Sequence, residues 1–274
     1  MSEKKLMKGN EAIAEAAIRG GCRYFFGYPI TPQNEIPEYM SWRIREVGGD
    51  FVQAESEVAA INMVYGAAGA GARAMTSSSS PGISLKQEGI SYIACAELPC
   101  VIVNMVRSGP GLGGILASQC DYFQTVKGGG HGDYKLLTYA PSTVQEAVDI
   151  LYYAFDKADE YRTPVCILGD GLLGQIMEPV TFPEMKEMPD PSTKSWAVTG
   201  THHGKDKTLA SSIYIDPNLG EAQNNHLVEK FERIAQKETQ CEEFMCDDAE
   251  IILTGYGSVG RIIKSAIYML REKG

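Results

Sequence analysis

Long apolar runs are missing from this sequence of 274 residues, and none approaches the roughly 20 residues needed to span a bilayer. The charged N-terminus is not followed by an apolar segment, so it does not match a secretory signal. Basic residues are few, 25 against 35 acidic ones, which gives a formal net charge of −10. Because nucleic-acid binding requires a basic surface, this balance disfavours a nucleic-acid partner. The sequence therefore predicts a cytoplasmic protein that binds neither membranes nor nucleic acid.

Closely paired cysteines are missing as well. The chain has seven cysteines, and the closest pairs, Cys95 with Cys100 and Cys241 with Cys246, are each separated by four residues. An odd number dispersed through apolar segments is typical of reduced thiols rather than of disulfides. Without a C-x2-C motif, this chain alone is not expected to bind zinc or an iron–sulfur cluster. Any redox cluster is expected on a partner.

What the chain does contain is an alternation of strand-type and helix-type patterns. Short apolar runs occur at 24–27, 51–54, 74–76, 101–106 and 165–168. Continuous apolar runs between amphipathic helices are typical of a parallel sheet that is covered on both faces. Residues 1–178 are therefore predicted to form one doubly wound α/β domain. Within it, Thr31 and Pro32 are expected to be the N-cap and first residue of a helix.

The composition changes after residue 178, where prolines become frequent. Residues 179–245 are predicted to be a linker region with one helix. At 246–274 the α/β pattern restarts, with an apolar run at 251–253 and glycines 255, 257 and 260 opening a helix. One strand and one helix cannot bury a core, so this second domain is either truncated or completed by another chain. The glycines also resemble a dinucleotide-binding fingerprint, which leaves an NAD-dependent oxidoreductase as a weaker alternative.

Three motifs carry a resemblance to a known family. They are Y-P-I-T-P at 28–32, Q-A-E-S-E at 53–57 with Gly66 beyond it, and R-S-G-P at 107–110. Together they resemble the alpha-type subunit of 2-oxoacid:ferredoxin oxidoreductases, especially the 2-oxoisovalerate (branched-chain) type. The resemblance implies a thiamine-diphosphate-binding fold, of which this chain is the pyrimidine domain. The last segment then looks like the start of a transketolase-C-terminal-like domain.

An activity and a division of labour are implied by the same resemblance. A 2-oxoacid, expected to be of the branched-chain type, is oxidatively decarboxylated to acyl-CoA, and the electrons pass to ferredoxin. Thiamine diphosphate is shared with a beta-type subunit that holds Mg²⁺ and a 4Fe-4S cluster. A ferredoxin-like subunit completes the complex, and this chain is also expected to self-associate. The alternative is a non-catalytic assembly or regulatory subunit of such a complex.

Glu57 is the expected catalytic residue. By resemblance, its carboxyl group hydrogen-bonds the N1′ atom of the cofactor's aminopyrimidine, a task that suits a poorly solvated acid. The alternative is that Glu57 only complements the dipole of the helix that it begins. Glu55 is the rival carboxylate, and the nine-residue step from Glu57 to Gly66 favours Glu57.

Two further residues are expected to bind the 2-oxoacid. Thr31 lies where a strand ends and a helix is expected to begin, a place where main-chain N–H groups bind anions. It could equally serve only as an N-cap. Arg107 follows the apolar run at 101–106, and its guanidinium group could grip a carboxylate through two parallel hydrogen bonds. A structural ion pair is the alternative for Arg107.

The resemblance also assigns Pro29 and Ser78 to cofactor contacts. Ser78 belongs to a hydroxyl-rich segment at 76–80, which could touch the cofactor or coenzyme A, or could simply cap the next helix. His131, a lone histidine among glycines, is expected to be a solvated loop residue. Asp170 lies in a Gly-Asp-Gly sequence that copies the start of a thiamine diphosphate/metal motif, but the Asn required later is missing. No metal ligand is therefore expected in this chain.

Overall fold

Eight strands are present in the computed structural model, which describes residues 4–200 and 207–273. They are β1 (Lys5–Lys8), β2 (Tyr24–Gly27), β3 (Asp50–Gln53), β4 (Ala74–Ser78), β5 (Cys100–Val106), β6 (Leu137–Tyr139), β7 (Pro164–Asp170) and β8 (Met177–Val180). Six of them form a parallel sheet in the order β3-β2-β4-β5-β7-β6. The first and last strands pair with each other as an antiparallel ribbon. The carboxyl ends of the six parallel strands therefore meet at one edge.

Helices cover both faces of this sheet. The α-helices of the described residues are α1 (Gly9–Arg19), α2 (Glu35–Glu46), α3 (Glu57–Gly69), α4 (Ser80–Cys95), α5 (Tyr122–Val126), α6 (Val144–Tyr161), α7 (Gly171–Gln175), α8 (Pro217–Glu238) and α9 (Gly257–Arg271). The core on one face of the sheet includes α1, α2 and α6, and the core on the other includes α3 and α4. Among the described residues, none of these helices has the length and hydrophobicity needed to cross a membrane.

The two faces of β5 show why the strand forms there. Its side chains alternate, so that Val101, Val103 and Met105 pack into one apolar core. Cys100 and Ile102 pack into a second core on the opposite face. The first core includes α1 and α6, and the second includes α3 and α4. A strand buried on both faces reads as a continuous apolar run, and the predicted doubly wound α/β fold is confirmed.

The region after β8 packs on the sheet domain through α8. Lys230 of this helix donates hydrogen bonds to Glu97 (3.0 Å) and to the main-chain oxygen of Arg162 (3.1 Å). At the end of α8, Glu238 accepts hydrogen bonds from Tyr161 (2.6 Å) and Lys157 (2.8 Å). The domain boundaries at residues 178 and 245 stay predictions. The three predicted regions also include residues 1–3, 201–206 and 274, which lie outside the described residues.

The strand expected at 251–253 does not form, so that prediction is wrong. Ile251, Ile252 and Leu253 are exposed, and in the described part of the chain they pair with no other strand. An isolated apolar run has no neighbour with which to share hydrogen bonds. As α9 begins at Gly257 without a preceding strand, the glycine pattern lacks the context that a dinucleotide-binding turn requires.

The helix expected to begin at Thr31 also begins later than predicted. A cis peptide bond joins Thr31 and Pro32, and α2 starts only at Glu35. The main-chain oxygen of Pro32 is occupied by side chains, since it accepts hydrogen bonds from Asn10 (2.8 Å) and Gln175 (3.1 Å). With that acceptor bonded elsewhere, residues 31–34 form turns rather than a helical turn.

Candidate functional site

Glu57 is the first residue of α3 and lies at the carboxyl edge of the sheet. The preceding Ser56 caps the helix, because its hydroxyl accepts a hydrogen bond from the N–H of Ala59 at 3.2 Å. Glu57 is 7% exposed. Among the residues that the structure describes, none donates a hydrogen bond to its carboxylate. A buried carboxylate with unused acceptor capacity is unusual, since buried polar groups are normally paired.

Gly82 brings Glu57 and Ser78 together. A Cβ atom on Gly82 would lie 2.1 Å from Ser78 Oγ and 2.8 Å from Glu57 Oε1, so no larger residue fits there without displacing one of them. Both oxygens therefore border the same small space, at the end of β4 and the first turn of α4. The hydroxyls of Ser78 and of the adjacent Ser79 are buried and have no partner among the described residues.

These groups fit the polar edge of an aminopyrimidine ring. Such a ring presents both donors and acceptors, and Glu57 and Ser78 offer an unused carboxylate and an unused hydroxyl side by side. The Ser78 hydroxyl would cost free energy if it stayed buried without a partner. The pair predicted from the sequence is thus brought together, with Gly82 as the residue that allows the close approach.

Lys86 is a residue of this site that the sequence analysis missed. It is completely buried, and its Nζ donates a hydrogen bond to Thr76 Oγ1 at 2.9 Å. Burial lowers the pKa of Lys86 to about 8, although the negative charge of Glu57 acts in the opposite direction. One signal was available, because Lys86 falls in line with the buried Ile83 and Ile90 on the apolar face of α4.

Arg107 and Thr31 are also brought into contact. Arg107 follows β5, and its guanidinium group donates hydrogen bonds to the main-chain oxygens of Thr31 (3.0 Å) and Leu112 (2.9 Å). Its Nε is buried without a partner among the described residues. Ser80 fixes the main chain of Arg107 to the start of α4, because its hydroxyl accepts from the Arg107 N–H and donates to the Arg107 oxygen, both at 3.1 Å.

The remaining candidate residues from the sequence are exposed, except for the buried Asp170. Pro29 is exposed in the loop after β2, and Thr31 is exposed beside it. His131 is exposed, and its main-chain oxygen accepts a hydrogen bond from Ser91 at 2.9 Å. Asp170 caps α7 by accepting the N–H of Leu173 at 2.9 Å. Within 4–200 and 207–273, His, Cys, Asp and Glu side chains form no group of three or more that could hold a metal ion.

Subunits of two Methanothermobacter enzymes are similar to this chain along nearly all of its length. Subunit VorB of ketoisovalerate oxidoreductase from Methanothermobacter thermautotrophicus is 52% identical over 270 residues, which cover 98% of this chain and 76% of VorB. Subunit KorA of 2-oxoglutarate synthase from the same organism is 36% identical over 299 residues, covering 100% of this chain and 79% of KorA.

A solved structure resembles the whole fold. It is a 2-oxoglutarate:ferredoxin oxidoreductase from Magnetococcus marinus with 2-oxoglutarate, coenzyme A and succinyl-CoA bound, with a TM-score of 0.87 and 26% identity. The match covers 100% of this chain but 52% of the Magnetococcus chain, so this chain spans about half the length of the Magnetococcus chain.

A family model matches residues 15–242 of the chain, which is most of its length. That model describes the thiamine-diphosphate-binding region of pyruvate flavodoxin/ferredoxin oxidoreductases. Together with the similarity to VorB and KorA, it confirms the predicted likeness to an alpha-type 2-oxoacid:ferredoxin oxidoreductase subunit, near the 2-oxoisovalerate type. The protein therefore belongs to the pyruvate flavodoxin/ferredoxin oxidoreductase family, and its residues 15–242 match the thiamine-diphosphate-binding domain of that family.

Proposed function

We propose that this chain is the pyrimidine-side subunit of a thiamine-diphosphate-dependent 2-oxoacid:ferredoxin oxidoreductase. The observation that carries the proposal is the buried Glu57 carboxylate, which receives no hydrogen bond from the described residues and borders the unpartnered Ser78 hydroxyl. The overall reaction converts a 2-oxoacid and coenzyme A to acyl-CoA, carbon dioxide and a proton. The released electron pair passes to oxidised ferredoxin.

Glu57 and Ser78 would hold the aminopyrimidine part of the cofactor, with the exposed Pro29 bordering it. When bound, thiamine diphosphate supplies the carbon nucleophile and the electron sink that decarboxylation of a 2-oxoacid requires. The contribution of Glu57 is to accept a hydrogen bond from, or share a proton with, a ring nitrogen in a place with little water. Because few waters compete there, the interaction is stronger than on an exposed surface.

Arg107 and Thr31 would orient the 2-oxoacid. Arg107 has an Nε–H without a partner among the described residues, and Thr31 has an exposed hydroxyl. The hydrogen bond from Arg107 to the main-chain oxygen of Thr31 holds these two donors near each other. Donors fixed in this way can hold a substrate carboxylate in one orientation, which lowers the entropic cost of reaction. A branched-chain 2-oxoacid is the proposed substrate, in line with the name of the ketoisovalerate relative.

Partner subunits are part of the proposal. Relatives of this chain are named as subunits, so their enzymes contain other chains. We assign the diphosphate-binding Mg²⁺ site and a 4Fe-4S cluster to a beta-type subunit, with a ferredoxin-like subunit alongside. Self-association of this chain within the complex is proposed as well. The coenzyme A bound to the Magnetococcus enzyme supports an acyl acceptor of the same kind here.

The direct test is Glu57→Gln in the assembled complex, assayed by 2-oxoisovalerate- and coenzyme-A-dependent reduction of ferredoxin. Loss of an acid–base group is expected to lower kcat by roughly 10²- to 10⁴-fold. Glu55→Gln is the matched control, because Glu55 is an exposed carboxylate two positions away, and its turnover should match the wild type. Wild-type turnover in Glu57→Gln would remove Glu57 from the mechanism. A wild-type complex that retains thiamine diphosphate yet turns over no 2-oxoacid would point to a non-catalytic subunit instead.

A further inference from the structure

The side chain of Lys86 points toward the Glu57 site rather than toward solvent. Gly82 and Lys86 are one turn apart on α4, so they share a face of the helix. Gly82 touches Glu57 and Ser78. Side chains on a helix lean toward its N-terminus, which carries the Lys86 stem toward the Gly82 end. Its ammonium group ends at Thr76, on the same face of β4 as Ser78 because strand side chains alternate.

The ammonium group of Lys86 is poorly satisfied by hydrogen bonds. It carries three donors, and Thr76 Oγ1 is its one acceptor among the described residues. A completely buried cation of this kind is expensive unless a negative charge compensates it. In the described part of the chain, Glu57 on α3 is the charged group that acts on the Lys86 amine. Glu88, two positions further along α4, instead accepts a hydrogen bond from Tyr92 at the surface.

We propose that Lys86 is a positioning residue, whose buried ammonium group is the counter-charge that directs Glu57 toward the aminopyrimidine of the cofactor. This inference rests on the proposed function of Glu57. The negative charge of Glu57 raises the pKa of Lys86 against the effect of burial, as a neighbouring opposite charge does. Lys86 thus acts through Glu57 and does not itself contact the substrate.

The first measurement is a double-mutant cycle on the purified complex without substrate. The wild type, Lys86→Met, Glu57→Gln and the double variant are compared by the midpoint of thermal unfolding. If the two charges compensate each other, the double variant has a clearly higher midpoint than the sum of the two single effects predicts, whatever the sign of each single effect. Additive effects of the two substitutions would overturn the proposal. This readout is independent of turnover, so it separates failure of the pair from failure of the proposed function.

The second measurement is the pH profile of kcat for 2-oxoisovalerate. Removal of the buried positive charge should move the acidic limb of this profile to higher pH in Lys86→Met, because a cation favours the ionised form of acids near it. Lys86→Gln can keep a hydrogen bond to Thr76 without the charge, and the same shift is expected for it. It also serves if Lys86→Met does not assemble. A purely structural lysine would change the yield of complex but leave the limb in place.

Lys230→Met is the matched control, since Lys230 is also buried and paired with a carboxylate, Glu97, but lies on α8. It should lower the unfolding midpoint without coupling to Glu57 and without moving the acidic limb. An unmoved limb in both Lys86 variants would overturn the proposal, even if Glu57→Gln is inactive. Coupling between Lys86 and Glu57 in an enzyme whose Glu57→Gln variant is fully active would overturn it too, because the pair would then be only structural.

Discussion

Arg107 donates a hydrogen bond to the main-chain oxygen of Thr31 at 3.0 Å, and so joins two segments 76 residues apart in the sequence. The same guanidinium group holds the main-chain oxygen of Leu112. Two of its nitrogen atoms are therefore engaged with the loops that flank the site, while Nε has no partner among the described residues. Arg107 thus joins the two loops, and its Nε–H is the donor that the proposed substrate role would use.

Arg107→Lys should lower kcat/KM for the 2-oxoacid by about 10- to 100-fold, the effect of losing one charged hydrogen bond. Lysine keeps the charge but cannot form several bonds in the fixed planar geometry of a guanidinium group. Steady-state kinetics of the complex measure the effect. Arg45→Lys, at an exposed position of α2, is the control and should leave kcat/KM unchanged. Equal kinetics in the two variants would contradict a substrate role for Arg107.

Gly82→Ala should impair the site without a change of charge. The added Cβ atom would collide with Ser78 Oγ and Glu57 Oε1, and overpacking of this kind costs about 1–3 kcal/mol of stability. A displacement of Glu57 by about 1 Å is expected to lower turnover roughly 100-fold. Circular dichroism melting and the ferredoxin assay measure the two effects.

Gly220→Ala is the matched helical control for Gly82→Ala. A Cβ atom at Gly220 would have its nearest neighbour, Tyr214 Cβ, at an ordinary 3.6 Å. Replacing glycine in a helix should then be neutral or stabilising, by up to about 1 kcal/mol. If Gly82→Ala were equally stable and equally active, the close approach of α4 to Glu57 would not matter for function.

Much of the sheet was predictable because its strands are buried on both faces. The run at 101–106 corresponds to β5, which spans Cys100–Val106, and the run at 165–168 lies inside β7. Apolar runs of this type follow from local sequence alone. The late start of α2 could not be predicted from local sequence. It depends on Asn10 and Gln175, which bind the main-chain oxygen of Pro32 from distant parts of the chain.

The site was predictable only in part, for a similar reason. Glu57, Ser78, Thr31 and Arg107 were reached through motifs, but their roles stay predictions. Lys86 was missed because lysine is usually exposed, and its burial depends on what α3 and β4 place opposite it. Only the three-dimensional packing shows that this lysine, on an apolar helix face, ends in the interior at the hydroxyl of Thr76.

The stability of the complex should depend on pH through Lys86. Burial lowers the pKa of Lys86 from its ordinary 10.5 to about 8, with Glu57 opposing the shift. Below about pH 8 the amine is charged in both states, and the folded state bears the cost of burial. As the pH rises from about 8 to 10.5, the unfolded chain holds the proton longer, so stability increases by about 3 kcal/mol.

Thermal midpoints of the wild type and Lys86→Met across this pH range measure that contribution. The wild type should gain relative to Lys86→Met between about pH 8 and 10.5, because the variant has no amine to titrate at this position. Lys127→Met, at an exposed site, should run parallel to the wild type. A constant difference between the wild type and Lys86→Met would show that the Lys86 amine does not titrate in this range.

Glu97→Gln should loosen α8 in a pH-dependent way. Burial raises the pKa of Glu97, but the Lys230 ammonium and His226 outweigh it and hold that pKa below its ordinary 4.5. A carboxyl with a lowered pKa stabilises the fold above pH 4.5, and this contribution is lost as the pH falls below that value. At pH 7, glutamine would leave the buried Lys230 without a counter-charge, at a cost of about 3–5 kcal/mol.

Denaturant titrations at pH 7 and pH 4, monitored by hydrogen exchange of the α8 amides, test this ion pair. The difference between Glu97→Gln and the wild type should be large at pH 7 and smaller at pH 4, where the wild-type carboxyl begins to take up a proton. Glu242→Gln is the control, because Glu242 and its partner Lys264 are both exposed, and such pairs contribute at most about 1 kcal/mol. If Glu97→Gln were as mild as Glu242→Gln at pH 7, the contact of Glu97 with Lys230 would not be what anchors α8, and its apolar residues Leu227 and Ile234 would have to hold the helix on the sheet domain.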